Sequence, residues 1–351
     1  MFASVTHFLP LTKIRRERVL PVPGRVLVHT GQKVSATDVI AEARLNNSHV
    51  LLDVAGMLGI PVEQVDKVLK VTPNQVIGEG DILAGPVGII PRMVRAPQSG
   101  RVIYCNQGQI LFELEAKPFQ LRAGLEGVVK NVIADRGALI ETTGALIQGV
   151  WGNGNVDQGN LLPVSPSPKD ELVAEMVDAS MQGMVLLAGH VTKQETLKAI
   201  QSVGIRGLIV ASISANLVPV AGQFPFPILV LDGFGKIAMN SYAYRILVTN
   251  DKRQVAVNAC NWDRYTDSRP EVIIPLPASD DPDLPRVSAV FSPGQSVRII
   301  KSPLAGVIGK LIALRSEQAP LSNGLRVPSA IVNLENGDQT VVPLVNLDVI
   351  A

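Results

Sequence analysis

The sequence predicts a multidomain chain of α/β plus all-β class, in which small β barrel or sandwich modules flank a parallel-sheet α/β domain. Three observations lead there. The 351 residues exceed what one core usually holds. The 30 glycines and 25 prolines, spread without a short period, cut most of the chain into short strands and turns. Only residues 166–262 switch to apolar strand-length runs alternating with helical patterns of about 10–15 residues. Hydrophobic content of 46% against 18% charged residues excludes a disordered chain. A net charge of +1 gives no global field for nucleic acid or an anionic membrane. Aromatic content of 4% is thin for a base-stacking surface.

The two cysteines, Cys105 and Cys260, lie far apart in strand-like surroundings. They read as buried free thiols, since a disulfide framework or zinc site needs more ligands at closer spacing. The basic residues Lys13, Arg15, Arg16 and Arg18 follow the apolar Phe8-Leu9-Pro10-Leu11, the reverse of a signal peptide. No window reaches the ~18 uninterrupted apolar residues of a spanning helix. The expectation is a cytoplasmic protein with no membrane insertion, no metal and no cofactor.

Residues 1–116 contain an internal echo. Gly31-Gln32-Lys33-Val34-Ser35-Ala36-Thr37-Asp38-Val39-Ile40-Ala41 aligns without gaps on residues 74–84. Each copy reads as a strand end, a turn, an Asp and an apolar strand. Pro-x-x-Gly-type turns lead into valine-rich strands at Pro21-Val22-Pro23-Gly24-Arg25-Val26 and Pro97-Gln98-Ser99-Gly100-Arg101-Val102. Residues 48–70 read as a helical insertion. Ser48 is its N-cap, Val50, Leu51, Val54 and Leu58 share a face, and Gly59 stops it. Pro61 opens a second helix over 62–70, where Glu63 and Asp66 offset Lys67 and Lys70 and leave no phosphate-seeking face.

This pattern resembles a barrel-sandwich hybrid of the biotinyl/lipoyl-like class. Similar folds occur in the N-terminal domain of one component of an electron-transport complex and as inserts in the large chain of bacterial RNA polymerase. The resemblance covers about residues 15–115 and implies fold more than function. Carrier domains of the class present a lysine at a hairpin tip. The corresponding Gly88-Ile89-Ile90-Pro91-Arg92-Met93-Val94-Arg95 has none, so neither biotin nor lipoate is expected.

Residues 117–165 read as a small β module with strands at 128–133 and 138–142 around Asp135-Arg136-Gly137. A glycine-rich loop over 149–159 follows and matches neither a Walker nor a dinucleotide fingerprint. It holds Trp151, one of two tryptophans, among glycine, asparagine, aspartate and glutamine. Trp151, Gly152, Asn153 and Gly154 are therefore candidate partner-binding residues, with the tryptophan as anchor.

Residues 166–262 read as a Rossmann-like α/β domain. Ser167-Pro168-Lys169-Asp170 opens a helix carrying Leu172, Val173, Met176 and Ala179. Strands are expected at 184–188, 207–213, 227–231 and 254–258. Helices follow the capping box Thr192-Lys193-Gln194-Glu195, follow Ser214, and run through Tyr242, Ala243, Ile246 and Leu247. In such a sheet ligands sit outside the carboxyl ends of the strands. That names Gly189, His190, Ser212, Ser214, Asp232, Gly233 and Gly235 as candidate ligand-binding residues. Cobalamin-binding domains have a similar strand order and an Asp-x-His-x-x-Gly loop. Gly189-His190-Val191-Thr192-Lys193 keeps only the histidine, so that function is not carried over. No Gly-x-Ser-x-Gly elbow presents Ser212, and no catalytic residue is assigned.

Residues 263–286 read as an extended linker, and 287–351 return to short strands with an Asn336-Gly337 hairpin turn. The run Ser302-Pro303-Leu304-Ala305-Gly306-Val307-Ile308-Gly309, with Val342-Pro343-Leu344-Val345-Asn346-Leu347, is similar to a KOW-type, SH3-like barrel. Such barrels bind RNA or protein in ribosomal and transcription factors, and Gly306 takes the position of the motif's glycine. The basic residues Arg298, Lys301, Lys310, Arg315 and Arg326 are scattered and no aromatic follows Phe291, which gives nucleic-acid readout little support. The expected function is a non-catalytic scaffold or accessory subunit that docks a protein partner, or itself, through its β modules. The alternatives are a small-ligand-binding or enzymatic α/β domain working at the strand ends, and a transcription- or RNA-associated factor.

Overall fold

Short β-branched runs between glycine and proline turns fold as strands, which make up 47% of the chain against 13% helix. The computed structural model describes every residue except 1, 46–47, 116–117, 264–267, 302, 322–323 and 325. The expected boundary at 116/117, the first part of the expected linker and Ser302 lie outside the described residues.

The expected parallel-sheet α/β domain is corrected: the molecule is mostly β, with several sheets. Parallel pairing among its central strands is confined to four neighbours, Val156–Pro163, Met184–Val191, Gly207–Ile213 and Ile228–Phe234. These belong to a mixed eleven-stranded sheet. Gln254–Asn258, expected as a further parallel strand, runs antiparallel to both Val156–Pro163 and Glu271–Pro275. Beyond it the sheet continues antiparallel through Gly137–Gln148, flanked by Gly127–Ile133 and by Phe8–Val19. The expected linker therefore supplies an interior strand. Pro270 and Pro275 bracket Val272, Ile273 and Ile274, all fully buried, in a stretch whose prolines and aspartates mimic a tether.

Other helices expected from periodicity also shrink. Around 167–179 there are only short 3-10 turns at Ala174–Met176 and Ala179–Met181. His49–Asp53 is a strand paired with Gln109–Leu114, leaving helices only at Val54–Leu58 and Val62–Val65. Two longer helices do form. Gln194–Val203 is stopped by Gly204 in the left-handed region, and Ser241–Thr249 is capped by the Asn240 side chain on the Ala243 N–H at 2.8 Å. They cover opposite faces of the parallel strands. Leu197 and Ile200 pack with Leu186, Leu208 and Val230, whereas Ala243, Ile246 and Leu247 pack with Leu187, Ile209 and Leu229.

The sequence echo has a physical basis. In the first copy Asp38 Oδ2 accepts from the Ser35 N–H at 2.8 Å, and in the second Asp81 Oδ2 accepts from the Gly78 N–H at 2.9 Å. The peptide carbonyls of the same aspartates accept from Ala123 and Ala96, both at 2.9 Å. The turn residues Gln32 and Gln75 likewise take the N–H groups of Val129 and Val102. Two units of one design thus share the N-terminal region, and the second (roughly residues 48–115) grows out of the first between its aspartate strand and Ala123. The first residues of the chain belong elsewhere. Val5–Thr6 lies parallel to Leu347–Ile350 in the six-stranded C-terminal sheet, tying the N-terminus to that module.

Gly137–Gln148 is the spine joining the N-terminal unit to the large sheet, and Glu141 on it is held by Arg15 and Lys130 from its two neighbours. Burial alone would raise the Glu141 carboxyl, but these two cations outweigh it and the pKa falls below the ordinary 4.5. A carboxyl lowered in the folded state contributes its stability fully above the unfolded value and loses it as pH falls through the lowered one. Glu141→Gln is therefore expected to flatten the acid limb of stability below about pH 4.5, measured by denaturant unfolding across a pH series. An unchanged acid limb would show the trio to be without energetic weight.

Candidate functional site

The strand-end residues converge as a parallel arrangement requires, but their polar groups are taken up inside the protein. Asp232 closes the buried part of Ile228–Phe234. It accepts from the Asn240 N–H at 3.0 Å and the Asn240 side-chain amide at 2.8 Å, and lies 3.6 Å from Arg298 Nη1. Arg298 comes from the C-terminal module and is only 1% exposed. Its Nη1 donates to the Leu231 carbonyl at 3.1 Å, and its Nη2 reaches Asp348 and the Thr6 hydroxyl, each at 3.4 Å. The guanidinium also sits 5.7 Å from the centre of the Phe8 ring. Burial pushes the Asp232 carboxyl up, opposed by Arg298 and by the Asn240 bonds. Gly306 completes the seal. A Cβ there would lie 2.6 Å from the Ile237 side chain, and its φ of +85° favours glycine in any case.

The neighbours of Asp232 are similarly engaged. Ser212 Oγ accepts from the Ile237 N–H and donates to the Ile237 carbonyl, both at 2.9 Å, pinning the loop after the strand. His190 is buried, with Nε2 3.7 Å from Glu171. Glu171 is itself bonded by Thr192, which with His190 and nearby lysines lowers its pKa. A Cβ on Gly189 would meet the Asp170 carbonyl at 2.3 Å, so the chain over 167–172 packs directly on that strand. Ser214 donates its N–H to Val191 and begins a 3-10 turn, and the Gly235 N–H, beyond Gly233, donates to Ile213 at 2.9 Å. A cleft of about 880 Å³ lies alongside, bounded by Lys236, Asn240, Tyr244, Arg245, Gly306 and Glu335. None of the seven expected residues lines it.

The 149–159 loop is a braced corner. Trp151–Gly152 forms a two-residue edge strand against Ile228–Phe234. The half-buried Trp151 ring meets Phe234 edge-on at 6.5 Å and packs against the same apolar layer as Val150. Asn153 donates to the Phe226 and Ala221 carbonyls and accepts from the Ile228 N–H at 3.0 Å. A Cβ on Gly152 would lie 2.3 Å from the Ala259 carbonyl, while Gly154 is exposed at φ +89°.

Two features were not assigned a role from the sequence. One is the hairpin Ile82–Val87/Arg92–Arg95, whose tip holds Ile89 and Ile90 at 104% and 81% exposure. The other is an arginine-walled cleft beneath Phe8–Val19, where Arg16 grips Glu271 across 255 positions of sequence. The alternation Arg16-Glu17-Arg18 in a strand, and a glutamate before the apolar Val272-Ile273-Ile274, are the sequence signals that bear on it. Among the described residues no group of three or more His, Cys, Asp or Glu side chains is placed to hold a metal, and no helix is long and apolar enough to cross a membrane.

Because the Trp151 ring covers the apolar layer, Trp151→Ala is expected to destabilise the fold by about 2 kcal/mol, below the range for a fully buried tryptophan. Thermal unfolding with sedimentation checks this. An unchanged melting temperature with weakened self-association would make Trp151 an interface anchor instead.

No family model matches the chain, and no curated protein matches it. Among solved structures, S-adenosylmethionine: 2-dimethylmenaquinone methyltransferase from Geobacillus kaustophilus HTA426 aligns at 14% identity over 37% of this chain and 88% of that one. The TM-score is 0.25, and at that level the superposition bears on neither fold nor function.

Proposed function

We propose that the protein is a non-catalytic scaffold or accessory subunit that docks a protein partner through its β modules. The observation that supports this most directly is the hairpin tip of the second N-terminal unit. Solvent-exposed adjacent isoleucines at a turn contribute nothing to the chain's own core, and apolar surface of this kind is gained back only when a partner covers it. Met93 on the same hairpin and Met57 on the helix packed beside it are also exposed, which widens the apolar surface around the tip. Methionines adapt to a partner's shape. The strand ends add support from the other side. Asp232 and Ser212 spend their polar groups on internal bonds, and neither they nor the buried His190 line the neighbouring cleft.

The nucleic-acid reading loses one of its few cations, because Arg298 is enclosed between Asp232 and Asp348. The test is to replace both isoleucines, Ile89→Ser with Ile90→Ser, and compare proteins co-purified with the variant and with the wild-type chain by quantitative mass spectrometry. The expected result is an unchanged melting temperature, as neither side chain is packed, with loss of at least one partner recovered in stoichiometric amount with wild type. Identical partner profiles would contradict the docking role of the tip.

A further inference from the structure

The large sheet carries a row of polar side chains where most of its interior is apolar. Gln148, Glu271 and Asn258 stand directly opposite one another on three adjacent strands, Gly137–Gln148, Glu271–Pro275 and Gln254–Asn258. Directly opposed side chains share a face of the sheet. All three are buried, Asn258 to 3% exposure. They line a cleft of about 490 Å³ whose other walls include His7, Arg16, Arg18 and Arg269.

Two members of the row have partners. Gln148 Oε1 accepts from the His7 N–H at 3.1 Å and lies 2.9 Å from His7 Nδ1. Glu271 is gripped by Arg16 through contacts of 2.6, 2.9 and 3.1 Å. Asn258 is different. Its Oδ1 is buried with no hydrogen-bond partner, and no hydrogen bond of its side chain is found among the described residues. An orphaned buried amide is destabilising, so an apolar residue would serve the sheet better if folding were its only task.

Beside this amide stands a guanidinium in a similar condition. Arg18 donates Nε to the Arg122 carbonyl at 3.2 Å, and no carboxylate lies within ion-pair distance of it among the described residues. The side chain is half-buried, and that burial lowers its pKa. Glu17, the next residue in the strand, borders the same cleft but makes no ion pair with Arg18 among the described residues. Gly124 separates the two groups. A Cβ on it would lie 3.1 Å from Asn258 Nδ2 and 3.4 Å from Arg18 Nη2, and its φ of +80° suits glycine. The bare glycine leaves room between the guanidinium and the amide.

We infer that this cleft binds a small monocarboxylate that also carries an amide, with the carboxylate on the Arg18 guanidinium and the amide paired with Asn258. A guanidinium offers parallel donors that match the two oxygens of a carboxylate. Asn258 Oδ1 is occluded, which leaves the unpaired Nδ2 as the donor open to a ligand, and the carbonyl of a ligand amide is its complement. Glu271 on the floor of the cleft disfavours a dianion such as phosphate. The volume falls within the range of small-molecule sites, roughly 300–1,000 Å³. Only binding is involved, and the hairpin tip plays no part in it.

The test is titration of the full chain with N-acetylglycine, followed by amide NMR. Saturable shifts at Gly124 and Asn258 are expected. N-acetylglycinamide, which lacks the charge, is expected to bind about tenfold weaker or worse, and Arg18→Gln is expected to weaken N-acetylglycine by a similar factor. Asn258→Leu is expected to lose a comparable factor while melting no lower than wild type, because an orphaned amide is replaced by an apolar group. Absence of saturable shifts at the cleft, equal binding of the uncharged analogue, or equal binding by Arg18→Gln would overturn the inference. Should Asn258→Leu fail to fold, the Arg18→Gln result decides alone.

Discussion

One buried cation organises the molecule. Arg298 draws together the three parts of the chain that sequence separates most widely: Thr6 and Phe8 near the start, Leu231 and Asp232 in the middle, and Asp348 near the end. A guanidinium removed from water must be paired on several sides or its desolvation outweighs any gain. Two carboxylates, a peptide carbonyl, a hydroxyl and an aromatic face do that here. The requirement binds the C-terminal module to the central strands, because lifting it away would strip Arg298 of Asp232 and the Leu231 carbonyl and leave Asp232 without its cation. The close approach at Gly306 and the pairing of Val5–Thr6 with Leu347–Ile350 follow from the same docking.

That docking also settles the fate of the strand ends. An aspartate at the carboxyl end of a parallel strand is a common place for ligand chemistry, and Asp232 occupies it. The carboxylate instead anchors Arg298, and Ser212 is spent on the loop that carries Ile237 and leads to Asn240. Two features free of internal use lie elsewhere, the isoleucine tip of the second N-terminal unit and the orphaned amide of Asn258. The first invites an apolar partner and the second a polar one. They sit on different structural units and answer to different physics, burial of area in one case and satisfaction of hydrogen bonds in the other.

Much of the local structure was legible in the sequence because its causes are local. Gly207–Ile213 is a strand where an unbroken apolar run places one, and Gly204 ends its helix through a left-handed conformation that glycine favours. The aspartate turns at 35–38 and 78–81 are likewise encoded within four residues. Strand direction and sheet membership were not legible, since they depend on partners far away. Gln254–Asn258 has the composition of a parallel strand but lies between two antiparallel neighbours, and Glu271–Pro275 is an interior strand dressed in linker composition. The strand-end positions of His190, Ser212 and Asp232 could be found from pattern. Their occupation by Asp170, Ile237 and Arg298 could not, because no short-range signal pairs an arginine with an aspartate 66 positions earlier.

A double-mutant cycle on Asp232→Asn and Arg298→Met, read by denaturant unfolding of the full chain, tests the keystone role of the buried pair most directly. Arg298→Met alone leaves Asp232 and Asp348 without their cation, and a loss of about 3–5 kcal/mol is predicted. Adding Asp232→Asn removes one of the stranded charges while keeping the Asn240 contacts within reach, so the double variant is predicted to recover part of that loss. Strictly additive losses, or a single variant as stable as wild type, would contradict the account.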